Sequence, residues 1–191
     1  MIEPPSKARE CANYQQEAMK FTDQNDHMKI VVISQFWQKW LTLVENIKDS
    51  PNDARPGGGE IHTTPLFDKR LKETVEAFTR RGIRVLLIGQ APVYSALPLR
   101  CLVAALDHGA DPLRCGMPSA EARLRTQASD AALLRLAKTN SAVTVVLPSS
   151  FVCPNDNCAL MEAGTMLYRD KGHLNTFGAR QLSHHVQFPS P

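Results

Sequence analysis

The chain has 191 residues, 43% hydrophobic and 21% charged, a length and balance that predict one globular domain, 1–191, with its own core. Its formal net charge is only +3 and its Lys and Arg residues are scattered rather than gathered among aromatics, so no nucleic-acid partner is expected. No apolar run approaches the roughly 18–20 residues that span a bilayer, and "MIEPPSKARE" lacks the basic-then-apolar pattern of a secretory signal.

In chain order, "KARECANYQQEAMKFTD" places Cys11, Tyr14, Ala18 and Phe21 at the spacing of one helical face. "KIVVISQFW" follows, a β-branched run too short for a helix, which predicts a strand buried on both faces, as in a parallel sheet. "DSPNDARPGGGE" is a surface loop by composition, long enough to suit mobility or binding. "TPLFDKRLKETVEAFTRRG" carries Leu66, Phe67, Leu71, Val75 and Phe78 at helical spacing, between a start at Thr64-Pro65 and a stop at Gly82. "IRVLLIGQAPV" is a second buried strand, "SAEARLRTQASDAALLRLAKTN" an amphipathic helix reaching Asn140, and "AVTVVLP" a third strand. This alternation predicts an α/β fold with parallel strands joined by right-handed crossovers and ligands beyond the carboxyl ends of the strands. The tail "QFPSP" is expected to fray.

The five cysteines are more informative than the charge. Cys153 and Cys158 enclose the turn-forming "PNDN", while Cys101 and Cys115 bracket "LVAALDHGADPLR", whose Gly, Asp and Pro residues favour a loop. Two local disulfides fit, each contributing roughly 2–4 kcal/mol; on spacing alone, buried free thiols stay open. A zinc site needs four ligands at set separations, and "CPNDNC" supplies one close pair, so no metal and no cofactor is expected. Cys11 is left over, which points to a reactive thiol or to a partner cysteine outside the chain.

The segment Leu167 to Leu182, "LYRDKGHLNTFGARQL", carries the chemistry. Asp170 and His173 lie three residues apart after the last strand, where the chain returns across the carboxyl end of the sheet. A histidine that takes a proton from a hydroxyl needs its other ring nitrogen held by an acceptor, and an Asp-x-x-His turn provides one. The plainer alternative is that Asp170 caps the helix starting near Asn175.

This block resembles the closing block of the SGNH hydrolase superfamily, and within it the SGNH domains fused to membrane acyltransferase-3 proteins. The resemblance covers nearly the whole chain: "ECANYQQEAMKF", "KIVVISQFWQKW", "FDKRLKETVEAFTRRG", "IRVLLIGQAPV", "LPLRCL", "AVTVVLPSSFVCPNDNC" and "GTMLYRDKGHLNTFGARQL" occur in that subfamily's order. It implies a three-layer α/β/α, flavodoxin-like fold with a parallel sheet. It implies Asp170 and His173 as acid and base of a triad, disulfides Cys101–Cys115 and Cys153–Cys158, and a last helix from about Thr176 in which Gly178 and Ala179 allow close packing. It also implies an acyl donor, a glycan acceptor, a membrane acyltransferase-3 domain as partner, and a periplasmic or other extracytoplasmic location.

Two expected features are missing. Superfamily members carry the nucleophile in a Gly-Asp-Ser at the end of the first strand, and no such tripeptide occurs here. Asp49-Ser50 lies in a Pro/Asn loop, and Ser34 ends a strand that matches the family's third rather than its first. The Gly-x-Asn-Asp oxyanion block is absent too, with "SQFWQKW" in its place. As in the acyltransferase-linked subfamily, an aromatic-bearing strand end stands there, so Trp37 and Trp40 are candidates to line an acyl or sugar pocket or, equally, to fill the core. Backbone amides near Ser34 and Gln35 are candidate oxyanion donors. The expectation is a chain that begins downstream of the family's first strand, which leaves Cys11 unpaired and the strand at Ile30 to Ile33 with an open edge. Two functions follow: the carboxyl-terminal part of an acyl-ester enzyme whose serine lies outside the chain, or a catalytically inactive remnant or glycan-binding pseudoenzyme.

Overall fold

The structure, a computed structural model, describes residues 5–41 and 65–187, with side chains from Asn13 onward apart from that of Leu113. Asp49-Ser50, Thr64, the loop containing them, the "FPSP" end and the side chain of Cys11 lie outside the described residues. The chain runs α1 (Pro5–Asp23), β1 (Ile30–Ser34), α2 (Pro65–Thr79), β2 (Arg84–Ile88), α3 (Pro98–Asp107), β3 (Met117–Pro118), α4 (Ser119–Thr139), β4 (Val143–Val146), α5 (Pro148–Val152), β5 (Asn157–Cys158), β6 (Met161–Glu162), β7 (Thr165–Met166) and α6 (Thr176–His184).

β1, β2 and β4 form a parallel sheet in that order, with Ile30 opposite Arg84, Ser34 opposite Ile88, and Val85 to Ile88 opposite Val143 to Val146. Each crossover steps the same way across the sheet, so crossovers of one hand put α2 and α4 on the same face. That face receives the odd-numbered strand residues: Val85, Leu87 and Val143 pack with Phe67, Leu71, Val75 and Phe78 of α2 and with Ala128, Ala132, Leu133 and Leu136 of α4. Burial of the four α2 side chains contributes roughly 1.5–3 kcal/mol each, which holds in place a 15-residue helix that is marginal alone. The even-numbered residues Val32, Ser34, Leu86 and Ile88 face the other way and line a cleft shared with α6.

Three expectations are corrected here. β1 is shorter than "KIVVISQFW" suggests, because residues 35–36 leave the strand and 37–41 turn helical. Nor is β1 buried on both faces. Among the described residues it pairs on one side alone, and Val32 is 50% exposed. The α1 stripe is likewise uncovered, with Tyr14 and Phe21 largely exposed beside Met28 and Ile30 to Val32 at the same open edge. Finally, the region between Cys101 and Cys115 is helical through Asp107, since Pro98 starts α3 and Leu102 and Ala105 bury one side of it. Both local disulfides, Cys101–Cys115 and Cys153–Cys158, are present. They bind a second core beyond the strand ends, where Leu102, Met117, Val152, Leu160, Leu167 and Tyr168 meet.

Candidate active site

Asp170 and His173 sit on a loop closed by the antiparallel bridge between Tyr168 and Leu174. Arg169 N–H donates to the His173 carbonyl (2.8 Å) and Asn175 N–H to that of Leu167 (2.8 Å). Tyr168 anchors the loop from below, 2% exposed and edge-on to Tyr94 at 5.1 Å; burial pushes both phenols up, that of Tyr94 to about 12. From the other side, Tyr94 N–H donates to the Lys171 carbonyl (2.8 Å) and Lys171 Nζ to that of Ser95 (2.7 Å). Gly172 fits because an added Cβ would lie 3.2 Å from Val93 Cγ2 and 3.9 Å from Phe36 Cε2. The loop is therefore wedged between the segment after β2 and the end of β1.

Within the loop the Asp170 carboxylate accepts from Gly172 N–H (3.0 Å) and His173 N–H (2.9 Å) through Oδ1. His173 Nδ1 lies 2.9 Å from both carboxylate oxygens. A carboxylate only accepts, so Nδ1 carries the hydrogen and Nε2 is left as the basic atom. The Gly172 amide, then the His173 ring, hold the Asp170 carboxyl well below the usual carboxylate range. Asp170 is therefore ionised throughout the neutral pH range.

Asp170 does not cap the following helix. Asn175 does, its Oδ1 accepting from Gly178 N–H (2.8 Å) while its Nδ2 donates to the Met166 carbonyl (2.8 Å). Gly178 is where α6 meets the strand before the loop, since a Cβ there would overlap the Leu167 backbone. Ala179 is exposed and lines the cleft rather than serving the packing expected of it.

The cleft beside His173 has a volume of about 590 Å³. Its floor is the even-numbered face of β1 and β2, with Leu182 and Val186 on the α6 side and Ser34, Gln35, Phe36, Gln90, Gly172 and His173 towards its polar end. Trp37 does not line it. It is 2% exposed, packs edge-on against Phe67, and its Nε1 donates to the Ile88 carbonyl at 2.7 Å; Trp40 packs half-buried on the same core. The aromatic that reaches the cleft is their neighbour Phe36. One more residue at the cleft, Gln90, carried no recognisable motif, and its contribution arises from a contact 52 positions away in sequence.

Among the described residues there is no group of three or more His, Cys, Asp or Glu side chains arranged to hold a metal ion, and no helix long and apolar enough to cross a membrane.

The model of the family described as SGNH domain (fused to AT3 domains) matches residues 2–188. Among solved structures, the periplasmic domain of the lipopolysaccharide acetyltransferase of Salmonella ser. Paratyphi A is similar, with a TM-score of 0.54 and 14% identity over 82% of this chain. At that identity the likeness is one of fold. The chain spans 54%, about half, of that structure's length. No curated protein matches the chain.

Proposed function

The chain belongs to the family of SGNH domains fused to AT3 domains, and on that premise we propose that it is the carboxyl-terminal part of an extracytoplasmic acyl-ester enzyme, with Asp170 and His173 as its acid and base. The observation that carries the reading is the Asp170–His173 contact at the polar end of an apolar cleft, beside a strand edge without a partner among the described residues.

The nucleophile is a serine outside this chain, brought by a strand that pairs with β1. Such a strand would run parallel to β1, as β2 and β4 do, and bury apolar side chains alternately against the cleft and against α1. Its carboxyl end would then arrive beside Ser34, at the level of His173. There the serine Oγ attacks the acyl carbonyl while His173 Nε2 takes the hydroxyl proton, and Asp170 holds Nδ1–H and stabilises the imidazolium. The proton returns to the departing oxygen, and the acyl group passes from the serine to a glycan hydroxyl or to water. The His173 side chain is 64% exposed here; the added strand would narrow its contact with water and strengthen the field around it.

The same family membership supports a membrane-embedded acyltransferase-3 domain as partner and a cell-surface glycan as acceptor, and the similar structure, itself a periplasmic domain of a lipopolysaccharide acetyltransferase, accords with both. The absence of any Gly-Asp-Ser from the sequence favours a second reading if nothing completes the site: a glycan-binding remnant.

A paired assay separates the two. This chain alone, and the chain joined to a Gly-Asp-Ser strand from a family member, are given p-nitrophenyl acetate at mildly alkaline pH. The expected result is no acyl-enzyme and negligible turnover for the chain alone, and turnover for the joined protein that His173→Ala abolishes and Asp170→Asn lowers by about 10⁴-fold, the amide favouring the wrong tautomer. Turnover by the chain alone that survives His173→Ala and disappears in Ser34→Ala would place the nucleophile on β1 and overturn the assignment.

A further inference from the structure

The cleft holds a hydrogen-bond donor that the catalytic pair does not use. Gln90 follows β2 directly and is 6% exposed, yet it lines the cleft together with His173 and Gly172. Its position is set from three directions. Gly89 N–H donates to the Val146 carbonyl (2.8 Å), continuing the β2–β4 ladder, and an added Cβ on Gly89 would lie 2.8 Å from Leu147 Cδ2 and 3.4 Å from Pro148 Cδ. The backbone therefore runs tight against the end of β4. Trp37 Nε1 ties the preceding Ile88 carbonyl to the 37–41 helix (2.7 Å). Gln90 Oε1 accepts from Gln38 N–H (3.1 Å).

That last bond also settles which end of the amide is which. With the oxygen held by Gln38 N–H, the nitrogen occupies the other end and carries two N–H donors. None of the Gln90 hydrogen bonds among the described residues uses them. This nitrogen is not a sealed atom without a partner, and the cleft is the one cavity that Gln90 borders among those described.

We propose that Gln90 Nε2 donates a hydrogen bond to the acyl carbonyl oxygen of an ester bound in this cleft, supplying from the end of β2 the side-chain donor that "SQFWQKW" does not. The inference deepens the acyl-ester reading and rests on it. A donor held at one end by the protein is pre-oriented, so it meets the carbonyl without reorganisation, and its bond strengthens as negative charge develops on that oxygen. The cleft's apolar floor of Val32, Leu86 and Ile88 takes the hydrocarbon part of the acyl group. Gln90 is then the residue that chooses an acyl carbonyl over an apolar group of equal size.

The test uses the chain as it is and needs no turnover. Side-chain amide signals are followed by ¹H–¹⁵N NMR during titration with ethyl acetate, and in parallel with diethyl sulfide, whose apolar part is similar and whose sulfur is a weak acceptor. Gln90 Nε2 protons should move downfield saturably with the ester and not with the sulfide. Gln90→Met, which has no donor, should weaken ester binding about fivefold. Gln90→Glu keeps an oxygen for Gln38 N–H but has no N–H to donate. It should weaken the ester similarly while Gln38 N–H keeps its slow hydrogen exchange, a result that a purely bracing role does not produce. Equal shifts with both probes, a Gln90 signal that stays still while those of Leu182 or His173 move, or no saturable ester binding at all would overturn the proposal. A joined protein that proves inactive would sink the enzymatic reading and leave the measured ester contact standing, so the two failures are distinguishable.

Discussion

Asp130 is a carboxylate in the wrong place, and replacing it should stabilise the protein in one pH range only. It lies on the inner side of α4, half-buried, with Oδ2 accepting from Thr126 Oγ1 (2.7 Å) and Oδ1 buried without a hydrogen-bond partner among the described residues. Behind it stands Gly89, whose added Cβ would lie 3.3 Å from Oδ1. Burial pushes the Asp130 carboxyl from 3.8 up to about 6, against the opposing effect of the Thr126 hydroxyl. Between those two values the folded state holds more protons than the unfolded one, so stability falls as pH rises from 3.8 through 6 and is flat above. At about 1.4 kcal/mol per pH unit the ceiling is about 3 kcal/mol, and the water that still reaches the group reduces it to about 1–2 kcal/mol. Asp130→Asn keeps an oxygen for Thr126 and removes the charge, though its amide nitrogen takes over the orphaned position at about 1 kcal/mol. That cost is the same at every pH. Comparing urea denaturation of variant and parent at pH 4 and pH 7.5 cancels it, along with every other titrating group. The variant should gain about 1–2 kcal/mol relative to the parent on going to the higher pH. A stability difference that is equal at both values would refute the reasoning, because it would mean that Asp130 is as well solvated folded as unfolded.

Other consequences are open to direct measurement. Gly178→Ala forces a methyl into the Leu167 backbone and should cost about 3 kcal/mol or more in urea denaturation; a neutral result would mean that α6 can slide. Trp37→Phe leaves the Ile88 carbonyl without its donor and should lower stability by about 1–3 kcal/mol in urea denaturation; an unchanged stability would mean that this carbonyl finds another donor. Cys101→Ser/Cys115→Ser, opening a separation of 14 residues, should cost about 3 kcal/mol and Cys153→Ser/Cys158→Ser, with a separation of 5, about 2 kcal/mol, and non-reducing peptide maps of the parent should show both links with Cys11 joined to neither. Sedimentation velocity should show concentration-dependent association of the chain through β1, reduced by Val32→Lys; a monomer at all concentrations would count against an open edge.

Period and spacing are local, and what they encode was legible. The helical face of Phe67, Leu71, Val75 and Phe78 packs as its spacing predicts, the three β-branched runs pair in parallel, and the Asp-x-x-His turn brings carboxylate to ring because four consecutive residues suffice to do so. The turn between Cys153 and Cys158 was legible for the same reason. Which face meets what is another matter, since it depends on crossovers that no short window contains. Tyr14 and Phe21 form a proper helical stripe, but only the tertiary arrangement decides that it lies along an open strand edge. Trp37 and Phe36 are adjacent in sequence, and a turn out of β1 sends one to the core and the other to the cleft. Asn175, not Asp170, caps α6 because the bridge from Tyr168 to Leu174 ends just before it. Gln90 is an unmarked polar residue until Gln38, far away along the chain, takes its oxygen and leaves its nitrogen to the cleft. The chemistry of single side chains is written in the sequence; their direction is set by the partners that folding delivers.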